Sequence, residues 1–352
     1  MIAGFNRQST GTALTAALVV GLCAAALIFS DSCRKGAAEG MDLCLRVLTP
    51  SLFPMLALSG MAVRTGLCQR VGRLLEQPAR SLFGLSGAFA PVILLSLIGG
   101  YPVGARAVSE LYRSGQVSEK QAKRAALFCV SAGPGFLISF VGNTLYGSTE
   151  VGAVLLLSQT AAVLLTGIGL RFLSKPDDYH SVKEISSQGE PLSSALVESA
   201  YDASKSMVMI CGLVLLFSAF GGICDALLPS ASVRCLLMSA LEVSSGVCAL
   251  SEGYPFALAA FAVGFGGVCV HFQVFAALGK LDVSKPLFFL MRIIQGILTA
   301  LFARIGLFLT AKEVAVFSTA EVSRPDFYGG SVLSGAALLT VAICFLLTLR
   351  KR

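Results

Sequence analysis

Residues 98–104 read Ile98-Gly99-Gly100-Tyr101-Pro102-Val103-Gly104 and close an apolar run that begins near Ser81. Glycine releases the backbone from helical geometry, and proline removes an N–H donor. A helix is therefore expected to stop inside a run that is apolar enough to lie in a membrane. Irregular backbone at that depth is tolerated only against protein or a water-filled cavity. The stretch predicts a broken, cavity-lining segment. The alternative is that its glycines only let helices pack closely.

The composition indicates that lipid is the solvent of this chain. Of its 352 residues, 55% are hydrophobic and 13% are charged, whereas a soluble domain carries about 25% charged residues. The net charge of +7 is scattered between apolar runs, unlike the basic patch of a nucleic-acid binder. A typical soluble enzyme and a disordered chain are therefore excluded. The 11 cysteines form no Cys-x-x-Cys pair, which favours buried thiols over a metal site.

Several apolar runs have the length of about 20 residues that a spanning helix needs. They are Thr12–Ser30, Leu43–Val63, Ala125–Leu145, Val151–Phe172, Met207–Leu228, Leu287–Leu309 and Val332–Leu349. Basic residues cluster within 64–80, 106–124 and 171–205, and the positive-inside rule places these loops in the cytoplasm. Ser81–Val103 then lies between two cytoplasmic loops, so we expect a re-entrant hairpin there. Leu236–Leu278 is a second apolar region broken by glycines.

The two glycine-broken regions repeat one plan. Gly100 and Gly266 are 166 residues apart, and so are Val117-Ser118 and Val283-Ser284. One extra span, Val151–Phe172, separates the two units, and an odd number of crossings inverts the second unit relative to the first. Inverted repeats with broken segments near the midplane are typical of secondary transporters.

We therefore expect an all-α polytopic membrane protein with two inverted repeats, each holding a re-entrant helical hairpin. In chain order, the predicted parts are an N-terminal transmembrane helix (1–35), a first repeat (36–148), a linking transmembrane helix with a cytoplasmic polar loop (149–206), a second, inverted repeat (207–310) and a C-terminal transmembrane helix with a basic tail (311–352). The end of the polar loop, near Leu192–Ser206, is predicted to be an amphipathic helix on the membrane surface.

Polar groups inside apolar spans are the candidates for function, because charge in lipid is costly. Glu242 could couple transport to a proton or bond the local backbone, and Arg292 could reach an anionic cargo or Glu242, or extend to the membrane interface. His271 and Gln273 could bond a polar ligand or cap a helical segment. The residues predicted to bind cargo are Gly99, Gly100, Tyr101, Pro102, Gly104, Ser131, Gly133, Pro134, Glu242, Ser244, Ser245, Gly246, Gly266, Gly267, His271, Gln273 and Arg292.

Enzyme signatures are missing from the sequence. It contains no phosphate-binding loop, no zinc-protease His-Glu-x-x-His motif and no Gly-x-Ser-x-Gly motif, and these are the patterns that would indicate ATP-driven or hydrolytic chemistry. We therefore expect neither an enzyme nor a cofactor or metal.

Several motifs together resemble a known family. They are Pro50-Ser-Leu-Phe-Pro54, Gly99–Arg106, the Gly133-Pro134 break, Leu241-Glu242-Val243 and Gly266–Gln273. Over residues 40–310 the chain resembles the YlbJ-type sporulation integral membrane proteins, within the nucleoside recognition, or Gate-domain, family. The resemblance implies a fold related to that of concentrative nucleoside transporters. It also implies a role in endospore formation, namely moving dipicolinic acid across a membrane that surrounds the forespore.

Two cargo classes stay open at this point. Dipicolinate is a planar dianion that would bind helix N-termini, the hydroxyls of Ser244 and Ser245, and an arginine such as Arg292. A nucleoside would use the amide of Gln273 and the ring of Tyr101. The residues favour the anion, and a non-transporting scaffold of the spore envelope is an alternative of another class. The expected partners are a small-molecule cargo and the lipid bilayer of the cell membrane or of a forespore-surrounding membrane. We expect no nucleic acid partner, and a homo-oligomer is allowed.

Overall fold

Apolar runs in lipid fold as helices, because each backbone N–H and C=O must find its partner within the protein. A computed structural model describes residues 3–67, 70, 74–113, 115–173 and 190–310. Every regular element within these ranges is helical, so the prediction of an all-α membrane protein is confirmed. The predicted span Val332–Leu349, the basic tail and residues 174–189 of the predicted polar loop lie outside the described residues.

The helices of the described chain include two short π-helices. In chain order the elements are α1 (Ala3–Ile28), α2 (Ser30–Leu43), π1 (Cys44–Leu48), α3 (Thr49–Arg64), α4 (Glu76–Phe83), α5 (Phe89–Gly99), α6 (Tyr101–Arg113), α7 (Glu119–Ala126), π2 (Gly135–Leu145), α8 (Thr149–Phe172), α9 (Leu192–Leu227), α10 (Ala231–Leu241), α11 (Val243–Ser251), α12 (Phe256–Phe265), α13 (Gly267–Leu278) and α14 (Lys285–Leu309).

Four helices of the described chain are long and apolar enough to cross a membrane, namely α8, α9, α14 and the pair α12–α13. A fifth candidate consists of Ala16–Ile28 and Ser30–Arg46, which meet at an angle of 94°. The predicted spans Val151–Phe172 and Leu287–Leu309 therefore lie in continuous helices of membrane length.

Helix α14 shows how the chain is arranged for lipid. Its inner face carries Arg292, Gln295 and Thr299, which are at most 1% exposed. Its outer face is a stripe of large apolar side chains between 41% and 85% exposed, namely Leu290, Ile293, Ile297, Leu301, Ile305 and Phe308. Polar residues inside and apolar residues outside are the arrangement that is stable in a lipid bilayer. In water the exposed apolar stripe would be unfavourable.

Helix α9 corrects one prediction. The expected surface helix Leu192–Ser206 and the expected span Met207–Leu228 are parts of one continuous 36-residue helix. Small residues explain the continuity, because Ala195, Ser199 and Ala203 are buried at four-residue spacing and extend the packed face of the span by two turns.

Helix α9 packs antiparallel to α2 and α3 through small residues. A Cβ atom added at Gly60 would lie 3.1 Å from the Cβ atom of Ser199, and one added at Gly40 would lie 2.7 Å from the Cβ atom of Ser218. From Gly40 to Gly60 the contacts move back along α9 from Ser218 to Ser199, so α9 runs in the opposite direction to α2 and α3. Such close approach needs glycine.

Helices α10 and α11 form a helical hairpin that turns at Glu242. Across the turn, the Ser239 hydroxyl lies 3.3 Å from the Gly246 carbonyl. The helices have 11 and 9 residues, or about 16 and 13 Å at 1.5 Å per residue, roughly half of the 30 Å hydrocarbon core. Each arm of the hairpin is therefore too short to cross the core alone.

The glycine breaks take two forms. In the second region Gly266 interrupts Phe256–Leu278, which is one membrane-length span, as its glycines predict. The chain turns before this span, at Glu242, where the carboxylate accepts the bonds that the turn needs. In the first region Gly100 separates α5 from α6, and the return of this segment to its starting side stays a prediction.

Prolines also interrupt two predicted spans. The predicted span Ala125–Leu145 is broken as expected, since α7 ends at Ala126 and helical structure resumes only after Pro134. In the predicted span Leu43–Val63, the π-helix Cys44–Leu48 directly precedes Thr49 and Pro50. A proline ring clashes with the carbonyl four residues earlier and removes one bond to it, and widening that turn relieves both effects.

Candidate functional site

Interrupted segments from both halves of the chain surround one cavity, here called the central cavity. Its empty space is about 600 Å³. Apolar residues of π1, α3 and α9 close one side. The interruptions at Gly100, Gly133 and Glu242 form the other, together with Val270 and Gln273 of α13. Eight of the predicted cargo-binding residues line it, namely Gly99, Gly100, Tyr101, Pro102, Gly133, Glu242, Ser244 and Gln273.

The first two interruptions lie against each other. A Cβ atom at Gly133 would sit 3.1 Å from the Ile98 carbonyl oxygen and 3.3 Å from the Gly100 amide nitrogen. Gly100 itself has a φ of 86°, which only glycine adopts readily. The start of α6 at Tyr101 therefore opens on the cavity beside the break that precedes π2. Helix N-termini carry partial positive charge, so this wall favours negative ligand groups.

Glu242 carries the one formal charge of the lining among the described residues. Its two carboxylate oxygens accept hydrogen bonds from the Ser244 amide at 2.9 Å and the Ser245 amide at 2.7 Å. The side chain thus caps α11 and satisfies two amides that the turn leaves without helical partners. Glu242 is 1% exposed, so backbone dipoles rather than water hold its carboxyl group.

The second glycine break packs onto this turn. A Cβ atom at Gly267 would lie 3.1 Å from the Val243 amide nitrogen and 3.2 Å from the Leu241 carbonyl oxygen. Tyr101 crosses from the first break and donates its hydroxyl to the Val263 carbonyl at 2.8 Å. The two glycine breaks and the hairpin turn are therefore one assembly, bonded across the two halves of the sequence.

Arg292 lies behind the cavity wall rather than in it. Its guanidinium donates to the carbonyls of Phe265 at 3.2 Å and Val130 at 2.5 Å, and also to the Gly264 carbonyl and the Gln295 side-chain oxygen. The alternative that Arg292 extends to the membrane interface is wrong, because its exposed fraction is 0%. The contact with Glu242 is not made, since Glu242 bonds backbone amides.

His271 takes the structural role that was its alternative. Its Nε2 lies 3.0 Å from the Phe265 carbonyl oxygen, and its ring meets the rings of Phe265, Phe288 and Phe289 edge to face. Gln273 lies nearby on the same helix, but lines the central cavity and donates to the Cys269 sulfur at 3.6 Å. The sequence suggested one role for His271 and Gln273. In the structure they face different sides of α13, and only Gln273 lines the cavity.

The remaining predicted residues support the wall without lining it. Ser131 donates to the Ser96 carbonyl at 2.5 Å, and Gly104 and Gly246 allow close backbone contacts with Cys129 and Ser239. Ser245 faces the other side of the hairpin, where its hydroxyl lies 3.2 Å from that of Ser218. Pro134 precedes π2 and ends the break.

Three cavities follow one another along α9. The mixed-charge cleft, of about 920 Å³, is lined by α9 residues between Ser199 and Ser206, including Asp202. Arg64, Arg106 and Glu110 also line it. The central cavity takes Ile210 and Val214. The acidic cleft, of about 1350 Å³, takes Ser218–Asp225 with Glu39, Arg234 and Glu252. The stretch from Ser199 to Asp225 is about 39 Å long at 1.5 Å per residue, which exceeds the hydrocarbon core.

Thin partitions separate the central cavity from the two clefts. Leu56 lines both the central cavity and the mixed-charge cleft. At the other end, Ser244 lines the central cavity while its neighbour Ser245 lines the acidic cleft. The first turn of α11 is therefore part of the partition on that side.

Sequence reasoning missed the buried amides. Gln295 accepts a bond from Arg292 and points its amide nitrogen at the Phe128 carbonyl, 3.5 Å away. Gln159 is 2% exposed and approaches the Val263 carbonyl at 3.5 Å. A search for charges alone passes over such residues. The available signal was an uncharged amide inside an apolar span, which needs a partner for the same reason as a charge.

A metal site is not indicated by the described residues, because within them no group of three or more His, Cys, Asp or Glu side chains could hold an ion.

Comparison with known proteins gives one informative similarity. The chain is 24% identical over 338 residues to the sporulation integral membrane protein YlbJ of Bacillus subtilis (strain 168), with 84% of this chain and 83% of that protein covered. No family model matches the chain, and no solved structure matches it. Together with the membrane-length helices, the similarity confirms the predicted resemblance: the chain is a multi-pass helical membrane protein similar to the sporulation integral membrane protein YlbJ.

Proposed function

We propose that this chain is a secondary carrier or facilitator that moves a small polar metabolite across a forespore-surrounding membrane during endospore formation. The observation that carries the proposal is the row of three cavities along α9. The middle cavity is bordered by interrupted helices, whose backbone groups can bind polar ligands at membrane depth. A scaffold protein would need neither a row of cavities nor interrupted helices.

Contacts across the sequence support the proposal of two inverted repeats. Tyr101 bonds Val263, Ser109 bonds Leu278, and Arg292 bonds Val130. The partners are 162 to 169 residues apart, close to the 166-residue offset between the two units. Equivalent residues meet in this way only near an axis that relates the units. The plan is that of the concentrative nucleoside transporters, which we propose as the related fold.

Dipicolinic acid is the cargo that we propose first. The similarity to a sporulation membrane protein supports it, and so does the N-terminus of α6 at the cavity wall. Glu242 opposes it, because a carboxylate in the lining repels a dianion. A proton on Glu242 would remove that repulsion, so we propose that dipicolinate and a proton enter together. Uptake of dipicolinate should then rise as the pH on the entry side falls.

A nucleoside is the second candidate cargo. Glu242 and Gln273 both line the central cavity, and a carboxylate beside an amide suits the hydroxyl and base edges of a neutral nucleoside. No proton is needed to balance charge in this case, so uptake of uridine should depend little on pH. The pH dependence therefore separates the two cargoes.

The test is uptake into liposomes that contain the purified protein. Labelled dipicolinate and uridine are followed down a concentration gradient, with empty liposomes as the blank. The variant Val214→Phe places an aromatic ring in the central cavity and should abolish most uptake. Val208→Phe makes the same change on the same helix at a site 74% exposed to lipid, and should leave uptake near the native rate.

Two outcomes would contradict the proposal. If neither cargo enters faster than into empty liposomes, the carrier function fails and the scaffold alternative gains support. If cargo enters but Val214→Phe and Val208→Phe behave alike, the central cavity is not the route. Thermal unfolding of both variants shows whether either has merely lost its fold.

A further inference from the structure

The largest fully buried side chain of the described residues is a charged one, Arg292. Within these residues no carboxylate forms an ion pair with it, and three of its four hydrogen bonds go to backbone carbonyls. An arginine has five N–H donors in a rigid fork, and four bonds occupy most of them. Arg292 is therefore not disposed to bind cargo, although a buried cation is costly and calls for a role.

The carbonyls that Arg292 holds come from two different interruptions. Gly264 and Phe265 end α12, where the last carbonyls of a helix carry partial negative charge and lack helical partners. Val130 belongs to the non-helical stretch between α7 and π2. One guanidinium thus joins the second glycine break to the break in the other half of the chain. Gln295, three residues along the same face of α14, extends the connection to the Phe128 carbonyl.

We infer that Arg292 is a positioning residue of the transport route, which fixes the interruptions relative to each other so that the central cavity keeps its shape. This inference rests on the proposed function. The break at Gly133 and the start of α6 at Tyr101 meet the cavity directly. Gly133 lies three residues after Val130, and Tyr101 bonds the carbonyl of Val263, the residue before Gly264. Removal of the guanidinium leaves buried carbonyls without donors, and the breaks then shift or admit water.

Lysine cannot replace this function fully. Its single ammonium has three donors at one point, whereas the guanidinium reaches carbonyls on two sides with a planar fork. Arg304 provides the matched control, because it lies on the same helix and is exposed. The variants are therefore Arg292→Lys and Arg292→Met, with Arg304→Lys and Arg304→Met beside them.

The first measurement is the kinetics of uptake into liposomes for dipicolinate and uridine. Loss of position should lower the maximal rate for both cargoes by about tenfold or more in Arg292→Met, since misplacement by about 1 Å can cost that much. Arg292→Lys should recover part of the rate, and KM should change little in either variant. If KM rises for dipicolinate alone while the maximal rate holds, Arg292 binds the cargo and the inference is overturned.

The second measurement needs no transport, so it separates this inference from the proposed function. Cys129 is 0% exposed and lies next to Val130, so its labelling by a membrane-permeant maleimide, read by mass spectrometry, reports the position of the break. Labelling should increase several-fold in Arg292→Met and stay at the native level in Arg304→Met. The exposed Cys23 serves as the labelling standard. Unchanged labelling of Cys129 in a folded Arg292→Met protein would overturn the inference even if cargo moves.

If Arg292→Met fails to fold, Gln295→Leu tests the same connection more mildly. It removes the acceptor of Arg292 and the group facing the Phe128 carbonyl, but leaves the guanidinium in place. Cys129 should again become more reactive than in the native protein. Native reactivity of Cys129 in Gln295→Leu, together with native uptake, would overturn the inference.

Discussion

The helices that follow the two glycine breaks differ, although they start at equivalent positions. Helix α7 starts after Ser118 and ends at Ala126, whereas α14 starts after Ser284, 166 residues later, and runs unbroken to Leu309. The broken helix leaves the carbonyls of Phe128 and Val130 outside any helix, and the unbroken helix brings Gln295 and Arg292 to them. The comparison teaches that an interruption in one half is stabilised by donors from the other.

The two glycine breaks should differ in their tolerance of alanine, and this is the largest effect that we expect. Gly100 has φ 86° and ψ 174°, a region essentially restricted to glycine, so Gly100→Ala should cost about 2–3 kcal/mol. Gly266 has φ 88° and ψ −11°, near the left-handed helical region, so Gly266→Ala should cost about 1–2 kcal/mol. Thermal unfolding of the purified protein measures the difference.

Asparagine variants sharpen the test of the two breaks. Asparagine enters the left-handed region more easily than alanine, so Gly266→Asn should recover part of the loss whereas Gly100→Asn should not. Gly212→Ala is the control, because an added Cβ atom meets nothing within 4 Å there. Equal losses at positions 100 and 266 would mean that the two breaks are not strained differently.

The buried amides Gln295 and Gln159 should differ in how much each contributes to stability, with the larger contribution from Gln295 on the unbroken helix α14. Gln295 bonds Arg292 and faces Phe128, so Gln295→Leu should destabilise the protein by about 2 kcal/mol, the penalty of leaving buried polar groups unpaired. Gln159 makes one long contact at 3.5 Å, and its buried side-chain oxygen has no partner among the described residues. Gln159→Leu should therefore change the unfolding free energy by less than about 1 kcal/mol. A larger loss at Gln159 than at Gln295 would contradict the comparison.

The sequence predicts the interruptions well because their cause is local. Glycine frees the backbone and proline removes a donor within the segment that contains them, so the breaks at Gly100, Gly133 and Gly266 follow from residue type, whereas the pair Gly221-Gly222 leaves α9 unbroken because packing supports it. The small residues of α9, in contrast, extended a helix beyond the predicted boundary at Met207, since packing against α2 and α3 decides where that helix begins.

Contacts between the halves could not be predicted, because they depend on tertiary geometry. The direction in which Arg292 points is set by where the carbonyls of Val130 and Gly264 come to lie, and these residues are distant in sequence. The turn at Glu242 could not be predicted from the sequence for a related reason. Its sequence contains no glycine or proline, and only the bonds from its carboxylate to the amides of Ser244 and Ser245 make a one-residue turn stable.

Two glutamates at equivalent positions test whether the halves contribute equally to transport. Glu242 caps α11 inside the site, whereas Glu76, 166 residues earlier, pairs with Arg80 at 2.5 Å on a side chain that is 40% exposed. Glu242→Gln keeps one oxygen for two amides and turns an N–H₂ group toward the other. Cargo uptake should fall at least tenfold, equivalent to about 1.4 kcal/mol. Glu76→Gln should stay within about twofold, since exposed ion pairs contribute little.

Uptake by the two glutamate variants is measured in the same liposomes, at equal protein content. Equal uptake by the native protein and Glu242→Gln would remove Glu242 from the transport route. A tenfold loss in Glu76→Gln would instead show that the first half carries a functional carboxylate as well.

The hydroxyl pair between Ser218 and Ser245 should give the smallest effect. Its counterparts at the 166-residue offset are Leu52 and Ala79, which have no hydroxyl, so the pair is a feature of the second half alone. Ser245→Ala should cost about 0.5–1 kcal/mol, the usual contribution of one hydrogen bond. A double-mutant cycle with Ser218→Ala isolates the pair from other contacts. If the single and double variants lose stability additively, the hydroxyls do not hold the hairpin to α9, and the partition beside the acidic cleft is maintained by packing alone.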